Sequence, residues 1–112
     1  MQQLTVHDVQ HLIANAAPAE RPLLLDVREP WEFSLAALRL PQADTLHIPM
    51  QQLPARLAEI EPGRTVICVC HHGMRSLQVA RYLEQHGHED VINLQGGIDA
   101  WSQQVDPAVP RY

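Results

Sequence analysis

Short apolar runs alternate with amphipathic stretches along the chain, and no internal repeat or low-complexity segment interrupts them. Four apolar runs, bounded by proline, glycine or polar residues, predict β-strands over 23–27, 46–49, 65–70 and 91–94. The run 23–27 is almost continuously apolar, as expected of a strand that is covered on both faces of a parallel sheet. The alternation is typical of βαβ units and predicts an α/β fold with a central parallel sheet flanked by helices.

Helices are predicted wherever apolar residues recur at helical spacing between these runs. The predicted helical segments are 5–18, 30–33, 50–60, 76–87 and 97–101. Thr5 to Asp8 resembles a capping box, and Ser76 is the predicted N-cap of the fourth helix. The pair Gly96-Gly97 is interpreted as a tight turn, since the spacing of a dinucleotide fingerprint is missing. The tail from Asp106, with two prolines, is predicted to be irregular.

Composition narrows the class of protein further. A chain of 112 residues with 46% hydrophobic residues can form one compact core, so a single domain over 1–112 is expected. The formal charge of −5 and the lack of a basic cluster argue against a nucleic-acid partner. No apolar run is long enough to span a bilayer, and the N-terminal segment has no basic start. A cytoplasmic protein with no membrane association is therefore expected.

Cys70 is the strongest candidate for chemistry. It ends the run Thr65-Val66-Ile67-Cys68-Val69-Cys70 and opens the loop 71–76, which leads into a predicted helix. Backbone N–H groups at such a turn, with the positive end of the helix, favour an anion and therefore the thiolate. Cys68, two residues away on the same strand, is badly placed for a disulfide and is interpreted as a buried core residue. We therefore expect one reactive thiol at a strand-to-helix turn.

Four motifs in order along the chain carry a family resemblance. They are Asp26-Val27-Arg28-Glu29 with Glu32-Phe33, then His47-Ile48-Pro49, then Cys70-His71-His72-Gly73-Met74-Arg75-Ser76, and finally Leu94-Gln95-Gly96-Gly97-Ile98-Asp99-Ala100-Trp101. With them, nearly the full chain resembles a single-domain rhodanese, the thiosulfate sulfurtransferase fold. The segment 37–43 departs from the glycine-containing pattern usual in that family, so a different shape is expected for this connection. The resemblance implies a rhodanese-like three-layer domain with its catalytic loop at the carboxyl edge of the sheet.

The expected chemistry is sulfur transfer, because a thiolate is a soft nucleophile that attacks sulfane sulfur readily. Cys70 would attack thiosulfate, release sulfite and keep a persulfide, whose outer sulfur cyanide, a thiol or a carrier protein would then accept. The predicted substrate-binding residues are His71, His72, Gly73, Met74, Arg75, Ser76 and Arg28. Inward-pointing backbone donors of the loop and the charge of Arg75 would stabilise the anion, while Asp26 is expected to be structural, neutralised by hydrogen bonds or an arginine. No cofactor and no metal are expected.

Three alternative functions fit the sequence less well. A phosphatase or arsenate reductase would place five residues between cysteine and arginine, whereas four separate Cys70 from Arg75. A zinc site on Cys68, Cys70, His71 and His72 is disfavoured because structural sites space their ligands more widely. A non-catalytic rhodanese-like binding or regulatory module would be expected to have lost the cysteine, which this chain retains.

Overall fold

A computed structural model describes residues 1–112, which fold around a central five-stranded parallel sheet. The strands are β1 Gln2–Leu4, β2 Leu23–Asp26, β3 Asp44–His47, β4 Val66–Val69 and β5 Val91–Leu94. They lie in the order β1-β5-β4-β2-β3, and every neighbouring pair is parallel. Because all strands run the same way, the carboxyl ends of β2, β4 and β5 meet at one edge of the sheet, which is where ligands of open α/β sheets bind.

Helices cover both faces of this sheet. They are α1 Val6–Ala14, α2 Pro30–Leu35, α3 Leu53–Arg56, α4 Met74–Gln85 and α5 Gly97–Gln104, with single 3₁₀ turns at Pro18–Glu20, Met50–Gln52 and Leu57–Glu59. Alternate strand residues point to opposite faces, so two separate apolar clusters form. One packs α1 and α5 against the sheet, and the other packs α3 and α4 on the opposite face. The predicted three-layer α/β architecture is confirmed.

The structure corrects three predictions about individual strands and helices. Strand β1 was missed because its three residues are mostly polar and exposed; it pairs with β5 at the edge of the sheet. The third predicted helix, over 50–60, is a short α3 between two 3₁₀ turns, and Pro54 lies in its first turn. Ser76 is not an N-cap, since α4 begins at Met74 with Gly73 as its N-cap. No helix of this protein has the length and apolar character that crossing a bilayer requires.

Candidate active site

The loop between β4 and α4 folds around the sulfur of Cys70. Cys70 follows β4 directly, and only 1% of its surface is exposed. Its Sγ accepts hydrogen bonds from the backbone N–H groups of Gly73 at 3.1 Å and Ser76 at 3.3 Å. The hydroxyl oxygen of Ser76 lies 3.2 Å from the same sulfur. Since N–H donors stabilise a negative sulfur more than a neutral one, the two backbone donors suit a negative charge at this position.

Helix α5 holds the other side of this loop. The carbonyl oxygens of Cys70 and His71 accept hydrogen bonds from the N–H groups of Ile98 at 2.9 Å and Asp99 at 3.1 Å. A carbonyl and the N–H of the same trans peptide point in opposite directions, so the N–H groups of His71 and His72 point away from α5. Gly97 permits this close approach, because a Cβ atom there would lie 2.3 Å from the His71 carbonyl oxygen. The predicted tight turn is therefore also the support of the loop.

A buried carboxylate ties the loop to α2. Arg75 donates from Nη1 to Glu32 Oε1 at 2.6 Å and from Nη2 to Oε2 at 2.9 Å, a bidentate ion pair. The hydroxyl of Tyr112 donates to Glu32 Oε2 at 2.8 Å. The hydrogen bonds from Arg75, with smaller contributions from Tyr112 and the N–H of Glu29, lower the pKa of Glu32 to about 2. Arg75 thus fixes the loop to α2, and its predicted contact with substrate stays a prediction.

Arg28 lies beneath this pair and is fully buried. Its guanidinium donates to both carboxylate oxygens of Asp26, to the carbonyls of Glu32 and Ala36, and to the hydroxyl of Tyr112 at 2.8 Å. Burial opposes the charge of Arg28, but the hydrogen bond with Asp26 keeps its pKa raised. The predicted contact of Arg28 with substrate does not fit this environment, because all five of its N–H donors are already satisfied inside the protein. We assign Arg28 and Asp26 to the support of the site.

Aromatic rings form a column at the mouth of the loop. The imidazoles of His71 and His72 stack with centroids 4.1 Å apart and planes 15° apart, and His71 stacks in the same way on Tyr112. Burial, followed by the charge of His72, lowers the pKa of His71. Trp31 is 62% exposed and meets Tyr112 edge-on, with ring centroids 5.9 Å apart. Met74, the first residue of α4, is 71% exposed, so it offers its side chain to solvent.

One group of side chains at this mouth has metal-ligand chemistry. Donor atoms of His71, His72 and Asp99 lie within 4.8 Å of one another. The lone pairs of stacked imidazoles lie in nearly parallel planes, so the two rings do not converge on one ion in this arrangement. Asp99 already pairs with Arg111 at 3.0 Å, which lowers the pKa of its carboxyl. We assign this group an electrostatic role beside the loop.

Cys68 is buried like Cys70, but its sulfur has none of the hydrogen bonds that the loop donates to Cys70. It is completely buried in the cluster beneath α3 and α4. Burial, and secondarily the charge of Cys70, raises the pKa of the Cys68 thiol. Cys68 therefore stays protonated and packs as a small apolar side chain.

Sequence reasoning missed four residues that complete the site: Gln3, Glu32, Asn93 and Tyr112. Asn93 carried a readable signal, since it is the one polar residue in the apolar run Val91-Ile92-Asn93-Leu94. Glu32 was noted within a motif but without a role. Tyr112 gave no signal, because an irregular tail has no periodicity that places it against a distant loop.

Replacing Glu32 by glutamine should destabilise the protein by about 3 kcal/mol at neutral pH, since it leaves Arg75 and Tyr112 without their charged partner. The pKa of Glu32 is lowered from its usual 4.5 to about 2 in the folded state. Its contribution to stability is therefore complete above pH 4.5 and is lost as the pH falls from 4.5 to about 2.

Urea unfolding at a series of pH values measures this effect. The Glu32→Gln protein should lose less stability than the parent over that acid range. Glu59→Gln is the matched control, because it removes an exposed pair with Arg56 and should leave the free energy of unfolding nearly unchanged. Parallel pH curves for Glu32→Gln and the parent would contradict the assignment.

The fold and this loop together define a class of protein: an α/β domain in which a strand-to-helix loop at the carboxyl edge of a parallel sheet encloses one cysteine. The Rhodanese-like domain family matches residues 5–104. A sulfurtransferase of Allochromatium vinosum is 38% identical over 91% of this chain and 92% of its own length. A thiosulfate sulfurtransferase, GlpE, of Vibrio cholerae is 32% identical over 81% of this chain and 86% of its own. The crystal structure of a rhodanese-like domain protein from Staphylococcus aureus superposes with a TM-score of 0.74 at 30% identity, covering 90% of this chain and 91% of that one.

This chain belongs to the rhodanese-like family of sulfurtransferases. The predicted resemblance is thereby confirmed.

Proposed function

We propose that this protein transfers sulfane sulfur from a small anionic donor such as thiosulfate to a thiophilic acceptor, through a persulfide on Cys70. The observation that carries the proposal is the pair of backbone N–H groups, of Gly73 and Ser76, that donate to the Cys70 sulfur. Thiosulfate is the proposed donor because a relative that covers most of this chain is a thiosulfate sulfurtransferase.

The first step forms a bond between the Cys70 sulfur and the outer sulfur of the donor. The thiolate supplies the electron pair, the sulfur–sulfur bond of thiosulfate breaks, and sulfite leaves with the pair from that bond. Negative charge lies on the transferred sulfur throughout, so the N–H groups of Gly73 and Ser76, which already face Cys70, would stabilise it without reorganising. No external oxidant or reductant is needed.

The second step regenerates the thiolate. A nucleophile such as cyanide or a thiol attacks the outer sulfur of the persulfide, and the bond to Cys70 Sγ breaks with its electron pair returning to Cys70. Such an acceptor would approach the loop from the side where Met74 and His72 are exposed. The aromatic column of His72, His71 and Tyr112 would bound the approach of the acceptor.

Intact-mass measurement tests the proposed transfer directly. Incubation with thiosulfate should add the mass of one sulfur atom, and cyanide should remove that mass as thiocyanate appears in equal amount. A non-catalytic binding module would show no mass gain with thiosulfate, polysulfide or a persulfide donor. A phosphatase would hydrolyse an aryl phosphate without any mass change. Either result would overturn the proposal.

A further inference from the structure

A buried amide lies behind the catalytic loop. Asn93 in β5 is 1% exposed and has apolar neighbours on both sides in the strand. A buried amide in such a strand must satisfy its donors and acceptor within the protein. Its Nδ2 donates to the carbonyl of Gly73 at 3.1 Å and to Oε1 of Gln3 at 2.9 Å, while its Oδ1 accepts from the Ser76 hydroxyl at 2.5 Å. Asn93 therefore links the edge strand β1 to the loop around Cys70.

The partners of Asn93 fix which end of the amide faces which group. The Gly73 carbonyl can only accept, so the nitrogen of Asn93 must face it and the oxygen must face Ser76. An amide oxygen can only accept, so the Ser76 hydroxyl must be the donor. A hydroxyl carries a single proton, and this one is committed to Asn93. Ser76 consequently presents a lone pair, not a proton, to the Cys70 sulfur 3.2 Å away.

The hydrogen bond from Ser76 to Asn93 suits the thiol form of Cys70 better than the thiolate form. The thiol can donate its proton to the free lone pair of Ser76. A thiolate would face that lone pair across the same distance, unless the hydroxyl turns its proton toward the sulfur and gives up Asn93. Asn93 and the Cys70 anion therefore compete for one proton.

We propose that Asn93, oriented by Gln3, is a positioning residue that sets when the Ser76 hydroxyl donates to the Cys70 sulfur. The hydroxyl points at Asn93 while Cys70 is a thiol and turns to the sulfur once Cys70 is an anion. This inference rests on the proposed function in taking Cys70 as the nucleophile. The other titratable groups near the sulfur are Cys68 on the same strand, His71 in the loop, and Arg75 with its partner Glu32. All of them are retained in the variants below.

The pH dependence of Cys70 alkylation by iodoacetamide tests this role, because the reagent is uncharged and reacts with the thiolate. Peptide mass mapping confirms that Cys70 is the residue modified. The Asn93→Ala substitution frees the Ser76 proton for the sulfur, so the midpoint of the rate profile should move down by about one pH unit. The same substitution also removes a support of the Gly73 carbonyl, which is why a second background is needed.

A double-mutant comparison separates the two effects. In a Ser76→Ala background no hydroxyl proton remains to be released, so adding Asn93→Ala should leave the midpoint where Ser76→Ala alone puts it. An equal shift in both backgrounds would show that Asn93 acts only by holding the loop, and no shift in either would show that it does not act on Cys70. Both results would overturn the inference.

Gln3 provides a milder test that does not disturb the core, since it lies exposed on the edge strand. Gln3→Leu should move the midpoint in the same direction by a smaller amount, because Asn93 loses one of the two acceptors that orient it. Gln3→Glu keeps an acceptor and should restore the parental profile. A parental profile for Gln3→Leu would contradict the part assigned to Gln3.

The alkylation experiment also separates this inference from the proposed function, because alkylation needs no sulfur donor. If Asn93 and Ser76 are coupled but thiosulfate adds no mass to the protein, the proposed function is refuted and this inference stands.

Discussion

Replacing Cys70 by serine should abolish the mass gain with thiosulfate and lower thiocyanate formation by at least about a thousandfold. Serine preserves the size of the side chain and can accept from the N–H groups of Gly73 and Ser76. Its hydroxyl is a far weaker nucleophile than a thiolate and cannot form a persulfide. The loss should therefore lie in the chemical step, with the fold intact by circular dichroism and by urea unfolding.

Cys68→Ser is the matched control for this experiment. Cys68 is one of only two cysteines in the chain, lies two residues from Cys70 and is buried with a raised thiol pKa. Its replacement puts a hydroxyl into an apolar cluster, so a modest loss of stability is expected while sulfur transfer is retained. Transfer that survives in Cys70→Ser and disappears in Cys68→Ser would mean that the nucleophile had been assigned to the wrong cysteine.

Gly97→Ala should disrupt the loop without changing any residue in it. The added methyl group would lie 2.3 Å from the carbonyl oxygen of His71 and 2.5 Å from that of Cys70, too close for any side chain. Residue 97 also has a φ of 64°, a left-handed conformation that disfavours alanine. We expect the free energy of unfolding to fall by more than about 2 kcal/mol and transfer to fall about a hundredfold, since the loop must move away from α5.

Gly87→Ala separates the effect of this contact from that of the backbone conformation. Gly87 also has a positive φ, of 93°, but nothing lies within 4 Å of the position that a Cβ would take. The control should lose about 1 kcal/mol of stability and keep sulfur transfer within about twofold. Equal losses of transfer in the two variants would show that α5 does not hold the catalytic loop.

The strand β4 and the loop that follows it are the parts of the site that could be predicted directly from the sequence. The apolar pattern of the strand and the thiol at its end both indicate a strand-to-helix turn at this point. The run ending at Cys70 is apolar because β4 is buried on both faces, and such a strand can be recognised without knowing its neighbours. The position of a thiol at the end of that strand, before a helix, predicted both the loop and its preference for an anion.

The structure gives Arg75 and Arg28 carboxylate partners that differ in how far the sequence indicates them. Each was expected near the substrate because each lies in a motif beside the loop, and an arginine suits an anion. In the structure Arg75 pairs with Glu32 and Arg28 with Asp26. The partner of Arg28 is Asp26, two residues away in the same motif, and the sequence indicated that hydrogen bonds or an arginine would neutralise this carboxylate. The partner of Arg75 comes from α2, 43 residues away, and sequence spacing within one motif cannot identify it.

The sequence by itself determined the fold class, the strand that leads into the loop around Cys70 and the thiol chemistry that we propose for this residue. These depend on the order of apolar and polar residues along short stretches of chain. The tertiary structure decided how the loop is supported: by Glu32 from α2, by the N-terminus of α5, by Asn93 in β5 and by Tyr112 in the tail. These contacts join residues far apart in the chain, and only the packing of helices on both faces of the sheet brings them within hydrogen-bonding distance.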